Sequence, residues 1–128
     1  MLERITAPGA PAPKGPYSHA VRAGDLLFVS GQGPIDPQTN QPKLADAGSE
    51  TRATLENIRA ILRAAGAELA DVVKCSVFLA DIGDFGAMNK VYAEFFGDIR
   101  PARTTVQAAL PLGGSKVEID CVAYRPLR

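Results

Sequence analysis

The clearest periodic pattern in the chain predicts a helix over residues 49–65. Apolar side chains recur there at spacings of three and four residues, with charged side chains on the opposite side. The apolar series consists of Leu55, Ile58, Leu62 and Ala65. This spacing places one apolar stripe along a helix, and Gly66 is a usual helix stop. A second apolar series predicts another helix between the N-cap Asp84 and Gly97.

Five strands are predicted around these two helices. They cover residues 17–23, 26–32, 72–79, 103–109 and 116–124. The first two are separated by Gly24-Asp25, a tight-turn signal, and the last two by a turn rich in Gly and Pro. The third is rich in β-branched and aromatic residues, as strands usually are. The predicted order is ββαβαββ, an α/β fold of the α+β type.

The chain length and the segment before the first strand favour one domain. Residues 6–16 contain four prolines and two glycines, which predict an extended arm. With 128 residues, the chain is long enough for one core and too short for two. We therefore expect a single domain over residues 1–128.

The two helices are expected to cover one face of the sheet and to leave the other face open. Residues 26–29 and 72–73 nevertheless place apolar side chains on both faces of their strands. Four residues of the last strand share one face by the two-residue period: Val117, Ile119, Cys121 and Ala123. Glu118 lies on the other face and points away from the core. The open face is therefore predicted to meet another subunit.

Composition argues against nucleic acid, membrane and metal as partners. The 14 basic and 14 acidic residues balance, so no global field attracts nucleic acid or an anionic membrane. The absence of a signal-peptide pattern and of a run of about 20 apolar residues predicts a cytoplasmic protein. One histidine without metal-ligand spacing predicts no metal site, and His19 is interpreted as structural. Cys75 and Cys121 are interpreted as buried core residues.

Arg103 and Glu118 are the residue types from which a site for a small anion would be built. If Glu118 is partly buried, its carboxylate needs hydrogen-bond partners or a raised pKa, and it would then position or activate water. The Arg103 guanidinium presents a rigid fork that matches a substrate carboxylate. Spacing alone, however, favours an ordinary interface or surface ion pair between the two side chains.

Several segments together carry a resemblance to a known family. They are Gly15-Pro16-Tyr17-Ser18, Val29-Ser30-Gly31-Gln32, Thr54-Leu55-Glu56-Asn57-Ile58, Asp84-Phe85 with Met88-Asn89, and Pro101-Ala102-Arg103 followed by Val117-Glu118-Ile119. In these segments the chain resembles the RidA (YjgF) family of reactive intermediate deaminases, and the resemblance covers nearly the whole chain. It implies a chorismate-mutase-like fold, with two helices on one face of a mixed sheet, assembled as a homotrimer with ligand sites between subunits.

The resemblance also implies a reaction and a set of site residues. The reaction would be hydrolysis of 2-imino acids such as 2-iminobutanoate and 2-iminopropanoate, or of their enamine tautomers, to 2-keto acids and ammonia without a cofactor. Arg103 would bind the substrate carboxylate, Glu118 would orient or deprotonate water, and Tyr17 is grouped with them as catalytic. The remaining pocket residues would be Ser30, Gly31, Asn89 and Thr105. Thr105 stands where the best-known bacterial members have a cysteine, which disfavours a thiol-dependent mechanism.

Three other functions remain open at this point. One is a non-catalytic trimer that binds small carboxylates or acts like a chaperone, and another is a pathway-specific deaminase of the aminomuconate or aminoacrylate type. An endoribonuclease ranks last. Arg52, Arg59 and Arg63 lie near one side of the first helix, but Glu50 and Glu56 interrupt this charge. The pattern therefore indicates a solvated face and not an RNA-binding stripe.

Overall fold

The first predicted helix, α1, begins at Ala47 and ends at Ala64 in the computed structural model, which describes residues 2–126. Its N-cap is Asp46, whose carboxylate accepts a hydrogen bond from the Ser49 amide at 2.8 Å. The apolar stripe predicted from the sequence is buried, with Leu55, Ile58 and Leu62 at 0% exposure. The helical period therefore identified the side of α1 that packs on the sheet.

The second helix, α2, spans Phe85–Phe96 and ends at Gly97, whose φ of 51° is a conformation that favours glycine. The capping role predicted for Asp84 is wrong, because its side chain makes no capping hydrogen bond. A short 3-10 turn, Ile82–Asp84, runs directly into α2, and Asp81 caps that turn by accepting from the Gly83 amide at 2.8 Å. No helix within residues 2–126 is long and apolar enough to cross a bilayer.

Six strands form one mixed sheet on which both helices pack. They are β1 (Leu2–Ile5), β2 (Ala20–Ala23), β3 (Leu26–Gln32), β4 (Val72–Leu79), β5 (Ala102–Gln107) and β6 (Val117–Tyr124). Their order across the sheet is β1-β2-β3-β6-β4-β5, with β4 and β5 parallel and the other neighbours antiparallel. The predicted α+β class, with two helices on a mixed sheet, is confirmed.

The predicted element order lacked one strand and misplaced the start of another. β1 pairs with β2 at the edge of the sheet, but Ile5 is its one buried residue, so the sequence carries no alternation there. β2 begins at Ala20, and residues 17–19 precede the strand instead of belonging to it. The Ser30 amide still donates to the His19 carbonyl at 3.0 Å, but residues 17–19 lie outside the regular strand pairing.

The two faces of the sheet differ as predicted. Residues 117, 119, 121 and 123 of β6 are buried beneath the helices, together with Cys75, so both cysteines are core residues. The opposite face is open and carries large apolar side chains. Its exposed members include Leu26, Phe28, Val106 and Tyr124. An apolar face of this kind on a small domain is typical of a surface that meets another protein chain.

His19 attaches the arm to the sheet. Its Nε2 donates to the Pro11 carbonyl at 2.8 Å, which requires the proton on that nitrogen, and its Nδ1 accepts from the Ala7 amide at 2.9 Å. The ring is buried at 5% exposure. Both ring nitrogens are thus occupied by backbone groups, in agreement with the structural role expected for His19.

Glu50 does not belong to a solvated face of α1, which corrects the interpretation from the sequence. Its side chain is fully buried at the start of the helix. The carboxylate accepts from the Lys116 amide at 2.7 Å and from the Ala45 amide at 3.1 Å. It therefore joins α1 to the segment that leads into β6.

Candidate active site

Glu118 lies on the open face of β6, opposite Phe78 of β4, and its side chain reaches across to Gly31. A Cβ atom added at Gly31 would lie 2.6 Å from the Glu118 Oε2 atom. The ladder between β3 and β6 shifts register between Val29 and Gln32, which re-aims this part of β3. Glycine at position 31 therefore leaves the space that the carboxylate occupies.

A concave pocket surrounds this carboxylate. A cavity of about 290 Å³ is lined by Tyr17, Ser30, Gly31, Pro111 and Glu118. A second cavity of about 500 Å³ shares four of these residues and extends towards Leu112. The structure thus brings three residues predicted from the sequence, Tyr17, Ser30 and Gly31, to the same pocket as Glu118.

Two polar groups of this pocket have defined partners. The Ser30 hydroxyl donates to the Ser18 carbonyl at 2.6 Å, so its oxygen faces the pocket as an acceptor. The Tyr17 hydroxyl accepts from the Lys14 amide at 3.1 Å and keeps its own proton for another partner. Tyr17 is 46% exposed, which makes its ring an accessible wall of the pocket.

The environment of Glu118 disfavours its charged form. Partial burial raises the pKa of the Glu118 carboxyl, and the negative charge of Asp120 on the same face raises it further. A carboxylate with a raised pKa is a stronger base than an exposed one, and it gains a proton nearer to neutral pH. These properties suit proton transfer with a bound water or ligand.

Arg103 lies on the other face of the sheet, beneath the helices. It pairs with Cys75 of β4, whose side chain points into the core. The guanidinium carbon is 4.7 Å from the centre of the Tyr92 ring, and one guanidinium nitrogen is 3.9 Å from the Met88 sulfur. Arg103 takes part in none of the five ion pairs found within residues 2–126.

Thr105 and Asn89 belong to the surroundings of Arg103. Thr105 is two residues further along β5, opposite the buried Val77, so it shares the face of Arg103. Asn89 follows Met88 on α2 and lies within the same stripe as Phe85, four residues earlier. Thr105 and Asn89 are both half-buried.

The site residues therefore form two groups within one chain. We call Tyr17, Ser30, Gly31 and Glu118 the Glu118 half-site, and Arg103, Thr105 and Asn89 the Arg103 half-site. The half-sites lie on opposite faces of the sheet, with β4 between the two strands that carry Arg103 and Glu118. An ion pair between Arg103 and Glu118 within one chain, which spacing alone allowed, is thus wrong.

Sequence reasoning missed several neighbours of these half-sites. Phe85, Met88 and Tyr92 surround Arg103, and Pro111 lines the cavity beside Glu118. The three residues of α2 recur at spacings of three and four, so helical periodicity places them on one stripe. That stripe served only to predict the helix, and the sequence carries no signal that its outer end contacts a guanidinium.

The chain is similar in sequence to proteins of a known family. A profile of the family described as Endoribonuclease L-PSP matches residues 7–125. The RutC family protein PH0854 of Pyrococcus horikoshii is 48% identical over 125 residues, which is 98% of this chain and 99% of that protein. Reactive Intermediate Deaminase A, chloroplastic, of Arabidopsis thaliana is 42% identical over 94% of this chain and 65% of that protein.

Solved structures share the fold as well as the sequence pattern. TdcF from E. coli, solved with bound serine, has a TM-score of 0.89 at 39% identity and covers 96% of this chain and 98% of that one. The class defined by fold and site is therefore that of small α+β domains with the RidA-type, chorismate-mutase-like arrangement. Within that class, the chain belongs to the RidA (YjgF) family of Rid-type reactive intermediate deaminases.

Proposed function

We propose that this chain hydrolyses reactive 2-imino acids and their enamine tautomers to 2-keto acids and ammonia, without a cofactor. 2-Iminobutanoate and 2-iminopropanoate are the substrates we expect. The observation that carries the proposal is the Glu118 carboxylate, which stands in an accessible cavity with a raised pKa. The serine bound to TdcF supports an amino-acid-like ligand for this fold.

Arg103 and Glu118 divide the chemistry between them. Arg103 binds the substrate carboxylate through its two-nitrogen fork and so places the imine carbon near Glu118. Glu118 accepts a proton as the water oxygen bonds to that carbon and the C=N electron pair moves to nitrogen. Glu118 returns this proton to nitrogen to give a carbinolamine, and it then transfers the hydroxyl proton of the carbinolamine to the same nitrogen. The C–N bond breaks, the oxygen electron pair freed by loss of the hydroxyl proton forms the keto C=O bond, and ammonia leaves.

The proposed site needs two chains, because the half-sites lie on opposite faces of one sheet. A closed ring of identical subunits places the open face of one chain against another part of its neighbour. We therefore propose that the Glu118 half-site of one subunit meets the Arg103 half-site of the next, in a homotrimer with three sites. The apolar residues exposed on the open face support this assembly.

The first test measures turnover directly. An amino-acid oxidase generates 2-iminobutanoate and 2-iminopropanoate in situ, and semicarbazide traps the imine that survives. We expect the wild type to suppress trapping and Glu118→Gln to lose about 100-fold to 10,000-fold in rate, as for removal of a general acid–base. Each variant needs a check of folding and subunit number. The proposal is contradicted if the folded wild type leaves the trapping of both imines unchanged.

Gly31→Ala provides a test of the geometry around Glu118. The new Cβ would displace the end of the flexible Glu118 side chain, which lies 2.6 Å from the Cβ position. We expect kcat/KM to fall about 10-fold to 100-fold, since a displacement of about 1 Å has that cost, while thermal stability changes little. Gly33→Ala is the matched control, because its Cβ would meet only ordinary contacts at 3.7 Å and 3.8 Å. Equal kcat/KM in the two variants would argue against the proposed position of the Glu118 carboxylate beside Gly31.

Three alternatives have less support than this proposal. The RNA-cleaving activity suggested by the family description finds no free cationic stripe on α1, where three arginines pair with carboxylates. The pairs are Arg52–Glu94, Arg59–Glu56 and Arg63–Glu68. A carboxylate-binding trimer without turnover would bind 2-keto acids and leave trapping unchanged, so the same assay distinguishes it from a deaminase. A pathway-specific deaminase would act only on a larger unsaturated substrate.

The cellular location is likewise a proposal. The sequence predicts the cytoplasm, but relatives include the chloroplastic deaminase of Arabidopsis thaliana and the mitochondrial protein mmf2 of Schizosaccharomyces pombe. Imino acids arise wherever amino acids are oxidised or dehydrated, so the proposed chemistry suits each of these compartments.

A further inference from the structure

Two aromatic rings of α2 hold the guanidinium of Arg103. Its carbon atom lies 4.7 Å from the centre of the Tyr92 ring and 5.4 Å from the centre of the Phe85 ring. We propose that Tyr92, assisted by Phe85, is a positioning residue that prepares Arg103 for a substrate carboxylate. This inference rests on the proposed function and names residues that act through Arg103.

Aromatic partners leave the positive charge of Arg103 available to a ligand. A carboxylate beside Arg103 would occupy its fork and neutralise its charge, so it would compete with an anionic ligand. The face of an aromatic ring attracts a cation through its quadrupole and leaves the in-plane N–H groups unoccupied. Within residues 2–126 the rings and the Met88 sulfur are the contacts that orient this guanidinium. Apart from the one guanidinium nitrogen beside the Met88 sulfur, its N–H groups therefore stay available for a carboxylate.

Tyr92 is suited to this role because its own ring is held in place. The side chain is 8% exposed, and its ring packs on Phe96 with centroids 4.6 Å apart. A ring fixed in this way defines the plane above which the guanidinium lies. Phe85 is 40% exposed, so its ring holds the solvent-facing side of the Arg103 guanidinium less firmly.

The ring of Tyr92, and not its hydroxyl, carries the proposed role. The buried hydroxyl makes no hydrogen bond of ordinary geometry within the described residues, and its polar neighbour is the Cys75 thiol, a weak partner. Burial also raises the pKa of Tyr92, which keeps the phenol neutral. Tyr92→Phe should therefore preserve the function of Arg103, whereas Tyr92→Leu should not.

The chain offers a matched control on the same helix. Phe95 also lies beneath arginines, with the Arg59 guanidinium carbon 5.0 Å from its ring centre. Arg59 is paired with Glu56 and belongs to neither half-site. Phe95→Leu thus removes an aromatic ring and its two cation–π contacts, with Arg52 and Arg59, from α2 without touching Arg103.

The experiment measures KM, kcat and the dissociation constant of 2-oxobutanoate on folded, assembled Tyr92→Leu, Tyr92→Phe and Phe95→Leu proteins. For Tyr92→Leu we expect KM and the dissociation constant to rise about 3-fold to 30-fold, the range of one cation–π contact, with kcat changed less than KM. Tyr92→Phe and Phe95→Leu should stay close to wild type. If Tyr92→Leu does not fold, it is replaced by Phe85→Leu, which alters a more exposed ring. KM and the dissociation constant are expected to rise for that variant too.

Three results would overturn the inference, and they differ from failure of the proposed function. In the first, folded Tyr92→Leu and Phe85→Leu keep the KM and dissociation constant of an active wild type. In the second, Tyr92→Phe loses as much as Tyr92→Leu, which would assign the role to the hydroxyl. In the third, Phe95→Leu matches Tyr92→Leu, which would indicate a general effect of α2 packing. A wild type that neither turns over imines nor binds 2-oxobutanoate would instead refute the proposed function, and this inference with it.

Discussion

Arg103→Ala and Glu118→Gln chains, each inactive alone, are expected to recover activity when they are mixed and refolded together. In an equal mixture, half of the sites receive an intact Arg103 from one subunit and half receive an intact Glu118 from its neighbour. About a quarter of the sites are then complete in a ring of identical interfaces, so the mixture should show about a quarter of wild-type activity. The measurement is the imine-trapping rate of the mixture against each variant refolded alone.

The physical reason for this expectation is the position of the two residues in the sheet. Arg103 shares the helix-covered face with Cys75, whereas Glu118 shares the open face with Phe78. A small imino acid cannot contact both side chains of one chain through the sheet. The two residues therefore meet at one ligand only if they come from different subunits.

A chain carrying both substitutions supplies the matched control. Mixed equally with wild type, it should leave about a quarter of sites complete if the site crosses subunits, but about half if each site is built from one chain. No recovery in the first mixture together with half activity in the second would refute the intersubunit site. Wild type taken through the same refolding corrects for losses during the procedure.

Glu50→Ala is expected to lower the free energy of unfolding by about 3 to 5 kcal/mol, the usual cost of breaking a buried charged network. The carboxylate of Glu50 is fully buried and accepts hydrogen bonds from the amides of Ala45 and Lys116. Its Oε2 also lies 3.7 Å from the Lys116 ammonium. Removal leaves both amides without this acceptor. The measurement is urea unfolding at equal protein concentrations, because subunit assembly adds to apparent stability.

Glu56→Ala is the control for this substitution on the same helix. Glu56 pairs with Arg59 at the surface, where its side chain is 52% exposed, so its removal should cost less than about 1 kcal/mol. Glu50→Gln keeps one acceptor oxygen and should fall between wild type and Glu50→Ala. If Glu50→Ala unfolds at the same urea concentration as Glu56→Ala, the bridge between α1 and β6 does not contribute as proposed.

Local periodicity accounts for most of what could be predicted about the fold. The helical spacing of Leu55, Ile58 and Leu62 identified the buried side of α1, and the alternation in β6 placed Glu118 on the open face. Both patterns arise within a few consecutive residues, where geometry alone decides which side chains share a face. The edge strand β1 was missed because a strand with one buried residue has no such pattern.

The candidate site could be predicted only in part. Resemblance between sequences indicated its residues, and the structure places Tyr17, Ser30 and Gly31 in one pocket with Glu118. The aromatic neighbours of Arg103 served only to predict α2, since apolar residues at helical spacing indicate a helix and not a contact with a particular side chain. The apolar residues along one side of a helix do not indicate which residue of a distant strand will contact the solvent-facing end of that side.

The sequence by itself determined the two helices, most strands and the orientation of alternating residues within each strand, because these follow from interactions between near neighbours. The tertiary structure decided that β6 lies between β3 and β4 and that β5 runs parallel at the edge. It also decided that Arg103 faces the helices, that Glu118 rests on Gly31 and that Glu50 is buried. These features depend on pairings between residues far apart in the chain, which no local pattern specifies.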